Sequence, residues 1–249
     1  MSIELIIFDW GGTLAEVARQ PEALRRGACA VGRVLTGMAD ETVAAELAAR
    51  ALSAEAAAAA DPEHREVNLR ELLAEWARDR GLGEANGDRI DAAVRAIGEH
   101  WVGGALEPIP GALEALGLLR QRGYRLGLLS NCSIPPDFCQ QELARQGFAA
   151  MMDFAVYSSA IGYRKPSRII YDAALEAAFP ASRPVELSGV LFVGDSPSCD
   201  VTGPAKLGMK TVMVSAKPGL WSDADYADAR PDLRLATVAD LPAAIETLG

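Results

Sequence analysis

Five short apolar runs punctuate the chain: ELIIFD (4–9), YRLGLLS (124–130), DFAVYSS (153–159), GVLFVGD (189–195) and KTVMVSA (210–216). Several are rich in Val and Ile, and each is bounded by Gly, Pro or polar residues, the pattern of strands buried on both faces. Between the later runs the apolar spacing lengthens to that of a helix. Over 111–122, Leu113, Leu116 and Leu119 share a face and Gly123 supplies a stop. SRIIYDAALEAAF (167–179) is a second such stretch, ended by Pro180. Strand alternating with helix predicts an α/β protein with a Rossmann-like, doubly wound parallel sheet.

Residues 17–105 break that rhythm and read as helix throughout. The stretch is alanine-rich (AAELAARALSAEAAAAA) and carries two amphipathic stripes: Leu69, Leu72, Leu73 and Trp76, then Ile90, Ala93, Val94, Ile97 and Trp101. Lying between the first two strands, 17–105 is expected to be a separate helical lobe inserted into a core made of 1–16 and 106–249. GGALEPIPG (103–111), with Gly and Pro at both ends, serves as the return linker and hinge.

Composition narrows the class without naming a function. At 249 residues the chain can bury a real core, and its 50% apolar content is that of an ordinary soluble protein. A formal net charge of −10 argues against a nucleic-acid or anionic-membrane partner. No apolar run approaches the roughly 20 residues of a membrane span, and the start shows no secretory signal. Cys29, Cys132, Cys139 and Cys199 lack paired spacing, the pattern of reduced thiols in a cytoplasmic protein. His64 and His100 lie near no cysteine pair, which argues against zinc. Nothing distinguishes a monomer from a homodimer.

Ligands of an open parallel sheet gather at the carboxyl ends of its strands. Those ends carry Asp9, then Ser130-Asn131, then Asp195 with Asp200 beyond it, and Lys165 lies in the loop after the third strand. Singly, each has a plainer account, since a strand-end Asp or Ser is most often a turn former or helix cap. Together they suit a phosphate and a magnesium ion: hard oxygens for the metal, a hydroxyl and a cation for phosphoryl oxygens.

In that combination the chain resembles the haloacid dehalogenase-like (HAD) superfamily. FDWGGTL is similar to its first motif, LGLLSN to its second, GYRKPS to its lysine motif, and VLFVGDSPSCDVTGPAKLGMKTV to its acidic fourth motif. The 17–105 insertion stands where the family's C1-type helical cap goes. The resemblance implies that Asp9 is a nucleophile taking the phosphoryl group as an aspartyl-phosphate. It implies Mg²⁺ held by Asp9, the backbone carbonyl of Gly11 and Asp195, with Asp200 supporting from behind. Ser130, Asn131, Lys165, Gly12 and Thr13 would cradle the phosphate, and Lys165 would also offset charge on the nucleophile. The implied substrate is a small phosphorylated metabolite.

One position departs from the pattern. The family's phosphatases usually place an acid/base aspartate two residues after the nucleophile, where this chain has Gly11. Loss of a positioned acid/base typically forfeits about 10²–10⁴ in rate. The dehalogenases also lack that aspartate, but the complete acidic pair Asp195 and Asp200 argues against carbon–halogen cleavage. Phosphonoacetaldehyde hydrolases need a cap lysine, and Lys165, Lys206, Lys210 and Lys217 all lie outside 17–105. What remains is a slow or leaving-group-selective phosphatase, with Glu16 a candidate substitute for the missing acid/base, or an impaired member that binds a phosphorylated ligand or partner protein.

Weaker signals resolve into ordinary features. GLGEANG (81–87) reads as an interhelical turn and WSDADYADARPD (221–232) as a solvated acidic segment. Trp76 and Trp101 are assigned to the core of the helical lobe, and Trp10 to the cleft or the lobe junction. Arg19, Arg25, Arg26 and Arg33 are candidates to reach a substrate anion.

Overall fold

The computed structural model describes residues 3–17, 20–38, 40–82, 87–103, 106–179, 186–215 and 221–248. Arg19, Pro180, Lys217, most of the 81–87 turn and part of the 103–111 linker lie outside those residues.

All five apolar runs are strands: β1 (Leu5–Phe8), then, past a short ribbon described below, β4 (Arg125–Ser130), β5 (Phe154–Tyr157), β6 (Val190–Gly194) and β7 (Lys210–Val214). A further strand, β8 (Leu233–Leu235), completes a six-stranded parallel sheet in the order β5-β4-β1-β6-β7-β8. Only three residues long and half-buried, β8 carries too little pattern to be read from the sequence.

Period-2 geometry explains why the central strands are apolar at every position. Ile6 and Phe8 point to one face, with Leu126, Leu128, Leu191 and Val193 beside them. Helix α5 (Ala112–Gln121) covers that face with Leu116 and Leu119, and α6 (Pro136–Arg145) with Leu143. Leu5 and Ile7 point to the other, against Ile170, Tyr171 and Ala174 of α8 (Arg168–Ala178). A single turn of helix, α7 (Ser158–Ile161), leads from β5 toward α8.

Between β1 and β4 the chain forms α1 (Gln20–Thr36), α2 (Glu41–Ala60), α3 (Leu69–Asp79) and α4 (Gly87–Trp101). They enclose a core of their own, centred on Val31, Leu47, Leu73, Trp76, Ile90 and Ala93. Asp40 caps the alanine-rich α2 by accepting from Thr42 N at 2.7 Å, and Asn68 caps α3. Residues 17–105 are not helical throughout. Val17 ends β2 (Ala15–Val17), which pairs antiparallel with β3 (Leu106–Pro108), and 61–68 is an irregular connection. The entry and exit of the helical lobe are thus a two-stranded ribbon, of strands too short to show alternation.

The lobe packs back onto the core through α4. A Cβ at Gly98 would fall 2.1 Å from the Phe138 ring, so the glycine is what lets α4 approach α6. Glu142 of α6 accepts from Gly103 N at 2.6 Å, and Gln146 Nε2 donates to Leu106 O at 3.4 Å, fastening the return linker. Among the described residues, no helix is long and apolar enough to cross a membrane.

Candidate active site

Because β1, β4 and β6 run parallel, their carboxyl ends open on one edge, and Asp9, Ser130 and Asp195 arrive there together. All three are buried, as are Lys165 and Asp200. Lys165 Nζ donates to Asp9 Oδ1 at 2.7 Å and to Asp200 Oδ1 at 2.8 Å. Asp195 completes the group, with one oxygen each from Asp9, Asp195 and Asp200 within 4.8 Å of one another.

Local structure explains how each side chain is presented. Residues 9–15 form a tight loop in which Leu14 N and Ala15 N both donate to Trp10 O at 2.9 Å. Gly12 sits at φ 90°, and a Cβ there would lie 2.6 Å from Asp195 Oδ2. Only glycine lets the loop close over that carboxylate. Asn131 clamps the lysine loop: its Oδ1 accepts from Lys165 N at 2.7 Å and its Nδ2 donates to Lys165 O at 3.1 Å. The Asn131 side chain is therefore engaged in holding Lys165. Asp200 lies in a wide turn (Pro197–Thr202), where its Oδ2 accepts from Ser196 N at 2.9 Å.

The electrostatics follow from crowding carboxylates away from water. Burial, then the Asp9 and Asp200 carboxylates, push Asp195 up to about 7. Burial also raises Asp200 to about 6, against the pull of Lys165. For Lys165, burial alone would lower the pKa, but Asp200 and Asp9 outweigh it and raise it, so the ammonium is held. Three carboxylates against one ammonium leave the ionised cluster with two uncompensated negative charges.

Three of the remaining candidates differ in what they offer. Ser130 makes no side-chain hydrogen bond among the described residues and faces an adjoining cavity. Thr13 is fully buried, with no partner for its Oγ1 among the described residues. Gly11 lines the cavity beside Trp10. Trp10 serves both of its expected places: its Nε1 donates to Gln146 Oε1 at 3.0 Å, and its ring packs edge-on to Trp101 at 5.6 Å. Trp76 is in the lobe's core as expected, but Trp101 instead lines the cavity and packs at the junction.

Two further side chains bear no mark in the sequence. Trp221, at the head of the acidic 221–232 segment, has a buried Nε1. Among the described residues it forms no hydrogen bond of normal geometry, yet its N–H lies close enough to Asp195 to favour the carboxylate. The segment after it is largely exposed, as expected. Arg164, next to Lys165, reaches Glu55 of α2 at 3.2 Å and Glu66 at 3.5 Å. Arg25 and Arg26 pair with Glu41 and Glu22, and like the exposed Arg33 they are absent from the cavity lining, as is the exposed Glu16.

Comparisons with known proteins point the same way as the site. A family model described as haloacid dehalogenase-like hydrolase matches residues 3–208. The chain is 30% identical over 139 residues to pyrimidine 5'-nucleotidase YjjG of Escherichia coli (strain K12), covering 55% of this chain and 59% of that protein. It is 32% identical over 107 residues to a glyceraldehyde 3-phosphate phosphatase of Pyrococcus abyssi (strain GE5 / Orsay), covering 43% and 42%. The match thus spans about half the length of these curated relatives. Among solved structures, a 2-haloacid dehalogenase from Pseudomonas syringae pv. Tomato DC3000 gives a TM-score of 0.66 at 22% identity, covering 99% of this chain and 100% of that one. YfnB from Bacillus subtilis, described as bound to magnesium, gives 0.63 at 15% identity over 98% and 99%. At those identities the likeness concerns the fold alone.

Proposed function

The chain belongs to the haloacid dehalogenase-like hydrolases, and we propose that it is a magnesium-dependent phosphatase of small phosphorylated metabolites, working through Asp9. The observation that carries this reading is the buried cluster in which Lys165 joins Asp9 and Asp200 beside Asp195. A divalent cation would balance its two uncompensated negative charges, and carboxylate oxygens are the hard donors magnesium takes. Asp9, Asp195 and the carbonyl of Gly11 would hold the ion. When bound, it would neutralise charge on the phosphoryl oxygens.

The chain's own residues then divide the work. An Asp9 oxygen attacks phosphorus, the bond to the leaving oxygen breaks, and water later hydrolyses the aspartyl-phosphate. Ser130 donates to a phosphoryl oxygen. Lys165 orients Asp9 and offsets charge, while Asp200 and Asn131 hold Lys165. These positioning and charge-balancing tasks are most of what phosphoryl transfer requires. That the curated relatives are a nucleotidase and a phosphatase supports the reaction class.

Gly11 favours a second reading, a member that binds phosphorylated ligands with little turnover. Acetyl phosphate separates the two, because its leaving group departs without a proton. Hydrolysis is expected with Mg²⁺, to vanish in EDTA, and to drop by about 10⁴ or more in Asp9→Asn. Undiminished turnover by Asp9→Asn in EDTA would overturn the mechanism, and no turnover by the wild type would leave the binding reading.

A further inference from the structure

Between the helical lobe and the core lies a cavity of about 280 Å³, close to the lower end of the roughly 300–1,000 Å³ usual for small-molecule pockets. Gly11 and Ser130, beside the Asp9 strand end, line it, so it is the space next to a phosphoryl group held at Asp9 that a leaving group can enter. Its walls are apolar: Val31, Leu47 and Leu72 on one side, Trp101 and Ile134 toward the core. Glu55 is the one lining side chain among the described residues that carries a formal charge. It is an acid, and it already accepts from Ser133 Oγ at 2.6 Å and pairs with Arg164 at 3.2 Å. A leaving group rich in hydroxyls or carboxylates would be stripped of water there with few partners to replace it. An apolar one is favoured by the same burial.

Gly11 adds a second, chemical filter. With no carboxyl at position 11 to protonate it, the leaving oxygen departs as an anion, so its conjugate acid must be fairly strong. A phenol, at a pKa of about 10 as in tyrosine, meets that condition far better than an alcohol, whose basicity is nearer that of water at about 15.7. Both filters select the same chemistry. Building on the phosphatase reading above, we propose that the substrate is a small aryl phosphate monoester, its ring seated in the cavity against Trp101 and Trp10. Trp101, half-buried and lining the cavity, offers such a ring an indole to pack against. In the step itself, an Asp9 oxygen forms a bond to phosphorus as the P–O(aryl) bond breaks. The electron pair leaves on the phenolate, which takes its proton from solvent. Water then cleaves the aspartyl-phosphate to inorganic phosphate and the Asp9 carboxylate.

The test pairs kinetics with a binding measurement. With Mg²⁺, kcat/KM is compared for phenyl phosphate, 1-naphthyl phosphate, glycerol 2-phosphate and acetyl phosphate. Calorimetry of the wild type then compares phenylphosphonate with methylphosphonate, neither of which turns over. The aryl esters are expected to exceed glycerol 2-phosphate by about 100-fold or more, and phenylphosphonate to bind about 10-fold or more tighter than methylphosphonate. Turnover of acetyl phosphate with no aryl advantage in either measurement overturns this inference and leaves the phosphatase reading standing. No Mg²⁺-dependent turnover of any of the four overturns both.

Discussion

Gly11 leaves no side chain where the family's phosphatases usually carry an acid/base aspartate, and its consequence is local. A carboxylate at this position would stand at the mouth of the cavity, beside Ser130, where a leaving oxygen would pass. Gly11→Asp is therefore expected to raise kcat on alkyl phosphates by about 10²-fold, since a positioned acid/base contributes about 10²–10⁴. Its effect on acetyl phosphate should be small, because that leaving group needs no proton. Measuring both substrates with one protein separates the two cases. A folded, Mg²⁺-binding variant with no gain on alkyl phosphates would mean that another group already supplies the proton. Gly11 was legible as an anomaly from the sequence alone, because its neighbours match a motif that it breaks. Trp221 was not, because nothing in WSDADYADARPD marks one tryptophan as turned inward.

At the scale of elements, the contact between α2, the 61–68 segment and the lysine loop depends on Arg164. Arg164 N donates to His64 O at 2.8 Å, Glu66 N donates to Gly162 O at 2.9 Å, and Arg164 pairs with Glu55 and Glu66. Burial raises the Glu66 pKa and Arg164 opposes that rise, so the pair sits where an unpartnered charge is costly. Arg164→Ala should lower stability by about 1–3 kcal/mol, or roughly 2–12 °C in Tm for a chain this long. Adding Glu66→Gln should recover part of the loss, because the buried carboxylate goes with its partner. Thermal unfolding of the two variants and the double checks this, and strict additivity would show that the pair is not coupled. The principal strands and the alanine-rich helix were readable because their patterns run long enough to average out. The β2–β3 ribbon and β8 were not, since three residues cannot display a period and their pairing is set by partners distant in sequence.

For the whole molecule, the acidic cluster links folding to pH and, on the magnesium reading proposed above, to cation binding. Asp195, near 3.8 ordinarily, is pushed up to about 7 in the folded protein, and Asp200 moves the same way to about 6. Folded protein therefore holds more protons than the unfolded chain between those values. The contribution of these groups to stability is full below about 4 and is lost as pH rises through about 7. In EDTA, Tm should fall between pH 5 and pH 8. Mg²⁺ should reverse much of that fall, with about 2.7 kcal/mol at 100-fold excess over Kd, or roughly 5–11 °C. The Mg²⁺ shift should be larger at pH 8 than at pH 5, where protons compete for the same oxygens. Differential scanning calorimetry at both pH values checks it, and a shift independent of pH would argue against carboxylate ligation by this cluster.

By itself the sequence determined the fold class, the inserted helices and the four strand-end motifs. These are written in runs of local pattern, and a parallel sheet brings its strand ends to one edge whatever the details. Only the tertiary structure decided what surrounds the site. That Asn131 clamps Lys165, that Gly12 makes room for Asp195, and that the cavity beside Gly11 is apolar all depend on contacts between distant segments. Side chains from α1, α2, α3 and α4 reach the cavity from different directions, and no stretch of sequence records that they meet. The physical reason is that burial belongs to the packed chain, since a leucine facing a lobe's own core and one facing a ligand cavity have the same helical spacing.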